Sequence, residues 1–182
     1  IFFNNMGDKD KITEIVQWGT NPWTTMDRAF SGCTNLNIIN PAAGKPNLSA
    51  LTSMSRMFNL AESFNGEVGH WDVSNVTDMS FLFKRCISFN QDVSNWDTSN
   101  ATTMREMFNQ AWVFNGSLDW DVSNVEDMSG MFFHALAFNQ DLSSWDTSSV
   151  TDMFRMFNDA ESFDQSLGAW DIGNVTNMEQ FL

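Results

Sequence analysis

The sequence predicts an α/β fold, a right-handed solenoid of units about 25 residues long, each a short strand, a turn and a short helix. Three observations predict it. Trp71, Trp96, Trp120, Trp145 and Trp170 recur at spacings of 25, 24, 25 and 25, and each is followed by Asp: Asp72, Asp97, Asp121, Asp146 and Asp171. Phe64, Phe89, Phe114, Phe138 and Phe163 keep the same period, as do Met54, Met79, Met104, Met128, Met153 and Met178. Self-similarity at such a period is the mark of a repeat array. Within one unit, Val76, Met79, Phe83 and Cys86 stand at i, i+3, i+7 and i+10, one face of a helix of about three turns.

Taken along the chain, residues 12–36 read as a degenerate first repeat. Trp18, Trp23, Met26, Phe30, Cys33 and Leu36 fall at the offsets of Trp71, Val76, Met79, Phe83, Cys86 and Phe89. Pro41-Ala-Ala-Gly-Lys-Pro46 is a loop by composition and holds about three extra residues. The chain is expected to be one repeat domain over 1–182, with 12–46 as the degenerate repeat and insert and 47–182 as the regular repeats. It stops in mid-repeat at Leu182, which suggests part of a longer polypeptide. Helix starts are expected at Asn75-x-x-Asp78, Asn124-x-x-Asp127 and Ser149-x-x-Asp152, which resemble capping boxes. Asp92-Val-Ser-Asn-Trp96 is long enough only for a brief strand or turn. One local break is expected where Phe114 and Trp120 stand six residues apart instead of seven, and another at the insert.

A unit of this size cannot bury its apolar stripe alone, so neighbours must stack and columns of equivalent residues must become the core. That requirement accounts for 17 Phe, 12 Met and 8 Trp with no Tyr. It also assigns Met57, Leu82, Met107, Met131 and Met156 to the interior, and Ala61, Ala111, Ala135 and Ala160 to a tight spot. A strand that crosses over through a helix to a parallel neighbour does so right-handedly, hence the hand. Nine Lys plus Arg against 23 Asp plus Glu give 9 − 23 = −14, which disfavours nucleic acid and anionic lipid as partners. No run approaches the ~20 apolar residues of a membrane span, so direct insertion is not expected, and Ile1-Phe2-Phe3-Asn4 is too short for a leader core.

The unit Phe138–Met153 (F-N-Q-D-L-S-S-W-D-T-S-S-V-T-D-M) resembles the BspA-like bacterial surface protein 26-residue repeat family. Trp18-Gly-Thr-Asn-Pro-Trp-Thr-Thr-Met26 and Ala29-Phe-Ser-Gly-Cys-Thr-Asn-Leu36 resemble that family and its leucine-rich relatives, so the likeness runs from about Ile12 to Leu182. It implies a leucine-rich-repeat-like solenoid on a secreted or surface-anchored bacterial protein, with adhesion or interaction as its role and no catalytic residues.

The residues themselves point away from an enzyme. His70 and His134 occupy non-equivalent positions, which suggests neither a zinc cluster nor a His-based triad, and neither common glycine-rich phosphate loop is present. The Asp column (Asp72, Asp97, Asp121, Asp146, Asp171) would set like charges about 5 Å apart in stacked coils. Relief is expected from hydrogen bonds to backbone N–H groups in the following turn, and no cofactor is expected; calcium is the less favoured alternative. A carboxylate pair for glycoside hydrolysis would match any such ladder and is not favoured. Cys33 and Cys86 fill the Ala slot two coils apart, too far for a disulfide.

Binding information should lie where the repeats disagree. Four residues after the helix Phe the units read Glu62, Ile87, Trp112, Leu136 and Glu161, and Phe133 adds an apolar residue where other units carry Asn or Lys. Ile87, Trp112, Phe133 and Leu136 are therefore the expected contact residues. The expected function is an extracellular or cell-surface module that binds a protein or glycan of a host or neighbouring cell. The alternative is a stalk or filament segment without a ligand.

Overall fold

The computed structural model describes residues 4–182; Ile1–Phe3, read above as too short for a leader core, lie outside the described residues. Successive units stack in parallel register along the chain. Ser53, Asp78, Thr103, Asp127, Asp152 and Asn177 form a line of isolated parallel bridges, one residue per coil. Two short strands, β1 (Glu14–Ile15) and β2 (Ile38–Ile39), pair in parallel in the N-terminal coils.

The expected helices do not form, and with them the α/β strand-turn-helix solenoid is overturned: among the described residues there is no α-helix and regular strand is limited to β1 and β2. The destination of the backbone N–H groups gives the reason. In an α-helix every N–H turns back to the carbonyl four residues earlier. Here alternate groups leave the coil, with Met54, Arg56, Phe58 and Leu60 donating to the carbonyls of Asp78, Ser80, Leu82 and Lys84 at 2.8–3.0 Å. The groups between them close three-residue turns: Met57 to Met54, Asn59 to Arg56, Ala61 to Phe58. Each presumptive helix is thus a strip of linked turns tied to its neighbour, and the same alternation recurs at 79–86, 104–111, 128–135 and 153–160.

Every strip contains left-handed residues that are not glycine. Arg28, Arg56, Phe81, Glu106, Arg155 and Gln180 share one column at φ between 51 and 59°. Each costs about 1–2 kcal/mol locally and persists because bonds to the adjoining coil over-determine the backbone. The expected capping boxes serve the stack instead. Asn75, Asn100, Asn124 and Asn174 donate Nδ2–H to the carbonyls of Ser49, Ser74, Ser99 and Ser148 in the preceding coil. Asp78 and Asp127 accept from the N–H two residues on, as does Asp152.

The expected core columns are nevertheless buried up to the last coils, where Ala160 and Phe163 are half-buried and Met178 is 37% exposed. Met79, Leu82, Phe83, Cys86 and Phe89 are wholly covered, as are their counterparts Met104, Met107, Phe108, Ala111 and Phe114. Phe64, Phe89, Phe114, Phe138 and Phe163 stack at ring-centre separations of 5.9–6.0 Å. A second Phe column (Phe58, Phe83, Phe108, Phe132, Phe157) runs alongside and meets the first at 3.9–4.0 Å within each coil. Such a pile leaves no place for a phenol, whose hydroxyl would need a partner in every coil; this explains the absence of Tyr. From Trp96 onward the Trp column solves that problem for its own donor, whereas the buried Nε1–H groups of Trp18 and Trp71 have no partner. Nε1–H of Trp96, Trp120, Trp145 and Trp170 donates at 2.9–3.0 Å to the carbonyls of Val68, Val93, Leu118 and Leu142, one coil earlier.

Both irregularities stay local. The insert becomes a single 3-10 turn, Pro41–Ala43, started by Asn40 Oδ1 accepting from Ala42 N–H and ended by Gly44 at φ 63°. Pro46 stands where other coils have Trp, and Trp18 packs edge-on against Trp71 at 5.3 Å. The one-residue deletion falls between Leu118 and Trp120. It removes the turn bond that elsewhere joins the Trp N–H to the carbonyl three residues back, as from Trp96 to Val93.

Candidate binding surface

Because the columns that agree are consumed by stacking, the side chains on the outer edge of the turn strip are free to differ. Six of the nine cations, Arg28, Arg56, Lys84, Arg85, Arg105 and Arg155, lie on that strip in a chain of net charge −14. Aromatic rings are interleaved with them. Arg56 sits 4.1 Å from the centre of the Phe81 ring, with Lys84 and Arg105 at 5.5 and 5.9 Å, and Arg155 lies 4.8 Å from that of Phe154. These separations suit cation–π attraction.

At Gly130 the strip is notched. The left-handed column carries Arg, Phe, Glu or Gln in the other coils, so its backbone does not require glycine there. What glycine supplies is room: a Cβ at Gly130 would stand 3.0 Å from Cγ of Glu106, which leans across it. The result is a concavity of about 240 Å³ bounded by Lys84, Arg105, Asn109, Phe133, Phe154 and Arg155, among others. Glu106 is engaged, pairing with Lys84 and accepting from Asn109 Nδ2–H at 3.0 Å. That bond fixes the amide's orientation and leaves Asn109 Oδ1, on a residue only 5% exposed, without a partner. Arg105 approaches Asp127 no closer than 3.9 Å, whereas Arg155 donates Nε–H to Gln180. Three cations against one carboxylate line a site on an acidic protein.

The residues expected to make contact are divided by the structure. Ile87, Trp112 and Leu136 occupy equivalent positions of three consecutive coils just beyond the strip, in a register shown by Ala137 N–H on Trp112 O and Ser162 N–H on Leu136 O. Ile87 and Leu136 are half-buried, and Trp112, 45% exposed, adjoins exposed Val113. Phe133 instead lines the notch and meets His134 edge-on at 4.5 Å. Reading the strip as helix hid Asn109, Arg105, Arg155 and Gly130. The signal that could have found them was the column occupied by Gly130, where all other coils carry a large side chain.

The Asp column is engaged within its own turns. Asp72, Asp97 and Asp121 each accept from the N–H and Oγ–H of the Ser two residues on, and Asp146 and Asp171 from the N–H of Ser148 and Gly173. The Ser hydroxyl and then the Ser N–H hold Asp72 and Asp97 below the usual carboxylate range, and Ser148 likewise lowers Asp146. Among the described residues no group of three or more His, Cys, Asp or Glu is placed to hold a metal ion. Both cysteines are free and buried; burial pushes the Cys33 thiol up to about 11 and also raises that of Cys86, which donates to Phe58 O at 3.0 Å. No helix among the described residues is long and apolar enough to cross a membrane.

The stacking of interchangeable coils accords with the comparison to known families, in which one model matches twice. It is the family described as Mycoplasma protein of unknown function, DUF285, and it matches residues 24–119 and 95–182. The chain belongs to this family. The two overlapping matches to DUF285 fall on the repeated part of the chain, as a repeat protein requires; they do not extend to leucine-rich repeats. No curated protein and no solved structure matches this DUF285 chain.

Proposed function

We propose that this DUF285 chain is a non-enzymatic binding module, displayed outside the cell, that uses the edge of its turn strip and the adjoining Ile87–Leu136 positions to hold a partner. The observation that carries this reading is the separation of labour between columns. Trp, Phe, Met and Ala positions repeat because the core needs them, whereas cations and exposed rings gather at positions the core leaves unconstrained. Surface cations would ordinarily scatter over an acidic protein; here they gather beside exposed rings on one edge, which gives that edge polar and apolar groups for a partner that the rest of the acidic body does not offer. The test is attachment of the chain to cell surfaces, compared with Arg105→Glu/Arg155→Glu and with Trp112→Asp. Loss of attachment with an unchanged unfolding midpoint supports a binding edge. Attachment indifferent to all three changes, or a function that scales only with the number of coils, supports a spacer.

A further inference from the structure

We propose that Lys84 and Asn109 join covalently: Lys84 Nζ displaces the amide nitrogen of Asn109, with Glu106 as the acid and base, and leaves an isopeptide bond between neighbouring coils. This inference stands apart from the reading of the turn strip as a binding edge. Asn59, Lys84 and Asn109 fill one column in three consecutive coils, a register fixed by Leu60 N–H on Lys84 O at 2.8 Å and Arg85 N–H on Asn109 O at 2.7 Å. Lysine and amide therefore stand side by side. Glu106, three residues before Asn109, pairs through Oε2 with Lys84 Nζ, and the same oxygen accepts from Asn109 Nδ2–H at 3.0 Å. The attacking and leaving nitrogens are thus no more than about 6 Å apart and share the one atom able to carry protons between them.

Each requirement of the reaction has a residue. Lysine attacks as the neutral amine, and a base in hydrogen-bond contact is a general means of activating it. Starting from the ammonium, Glu106 passes two protons in turn from Nζ to Nδ2. A Cγ–Nζ bond replaces the Cγ–Nδ2 bond, the leaving group departs as ammonium, and Glu106 returns to the carboxylate. No oxidant or second substrate is consumed. The coil register holds the two groups together, which removes the entropic cost of their encounter. Asn109 is 5% exposed and the side chains of Lys84 and Glu106 are 28% and 21% exposed, so competing water has limited access to Cγ. Asn109 Oδ1 is buried without a partner, which leaves the amide gripped only at the nitrogen that departs.

Asn59 is the internal control. It adjoins Lys84 on the other side, but its Nδ2–H goes to Ser31 Oγ at 3.3 Å, and the residue three before it is Arg56, which offers no carboxylate. The product bond would tie adjacent coils and restrict the unfolded chain as a disulfide does, in a protein whose two cysteines are free.

The experiment is intact-mass measurement of the whole chain, folded, incubated and then denatured, followed by trypsin and peptide fragmentation. The parent is expected to weigh one ammonia less than its sequence, to resist cleavage after Lys84, and to yield a branched peptide joining Lys84 to Asn109. Glu106→Gln and Lys84→Arg are each expected to show their full sequence mass, and the second keeps the cation that faces Glu106 and with it the local fold. Full sequence mass in the parent would overturn the proposal. Asn65-Gly66 and Asn115-Gly116 can also shed ammonia, by attack of the backbone on the side-chain amide. A loss that persists in Lys84→Arg, or that fragmentation places at Asn65 or Asn115, would assign it to that route and equally refute the bond, as would a link to Asn59.

Discussion

Replacing Trp145 by Phe is expected to cost more stability than the same change at Trp120, although both indoles are buried and each donates to a carbonyl of the preceding coil at 2.9 Å. The difference lies in the acceptors. Val93 O also receives the backbone N–H of Trp96, so it keeps one partner when the indole of Trp120 is lost. Leu118 O sits beside the one-residue deletion, where the equivalent turn bond is missing; it depends on Trp145 Nε1–H, and Leu118 is 2% exposed. Both substitutions forfeit one hydrogen bond, worth about 0.5–1.5 kcal/mol net, and the same ring volume, but only Trp145→Phe strands a buried acceptor, at about 1–3 kcal/mol. The difference should therefore be roughly 1–3 kcal/mol. For a chain of this size it corresponds to roughly 2–12 °C in Tm. Urea unfolding of both variants against the parent, with m-values compared to confirm that the same transition is followed, measures it. Equal midpoints, or a weaker Trp120→Phe, would refute the account of the Trp ladder as a chain of interlocked carbonyls.

Other consequences follow from the same geometry. Trp112→Asp, at a position 45% exposed, should shift stability by less than about 1 kcal/mol in chemical denaturation, and a collapse of the fold would place Trp112 in the core. Asp72, Asp97 and Asp146 have depressed folded-state values, so their contribution is complete above the unfolded carboxylate value near 3.9 and is lost as pH falls through the folded ones. Tm should accordingly fall on acidification below about pH 4, and Ser99→Ala should move the Asp97 carboxyl titration upward by NMR. Cys33 and Cys86 should react with a thiol reagent only as the protein unfolds, releasing two equivalents per chain without reductant; rapid reaction of Cys86 in the folded chain would contradict its burial.

The burial of Met79, Leu82, Phe83 and Cys86 was legible because a three-four spacing of apolar residues marks one covered face, whatever backbone carries it. The backbone itself was not legible. A strip of linked turns and a helix share that spacing, and the decision rests on whether the N–H of Phe83 finds a carbonyl in its own coil or, as here, at Met107. Nothing local marks Arg56 or Phe81 as left-handed; their conformation is imposed by coils on either side. The Asp-to-Ser turn bonds were foreseeable because both partners lie two residues apart. Trp112 declares itself as a large apolar residue in a column whose flanking units carry Glu62 and Glu161, and Gly130 as the glycine in a column of large side chains, but Asn109 acquires meaning only once the strip's outer edge is known.

The even pitch of the Phe pile makes the array a ruler. Each whole unit adds one hydrogen-bonded coil spacing, about 4.8 Å, and repeats the Phe contacts already present. Duplicating or losing a unit between the notch and either end would move the notch along the axis in fixed increments, with no change in its shape and no repacking of the interior. Reach and recognition can thus vary independently in such a protein. Its length can drift by unit gain and loss, while a single substitution at one column, large to glycine, opens a new recess at any chosen step.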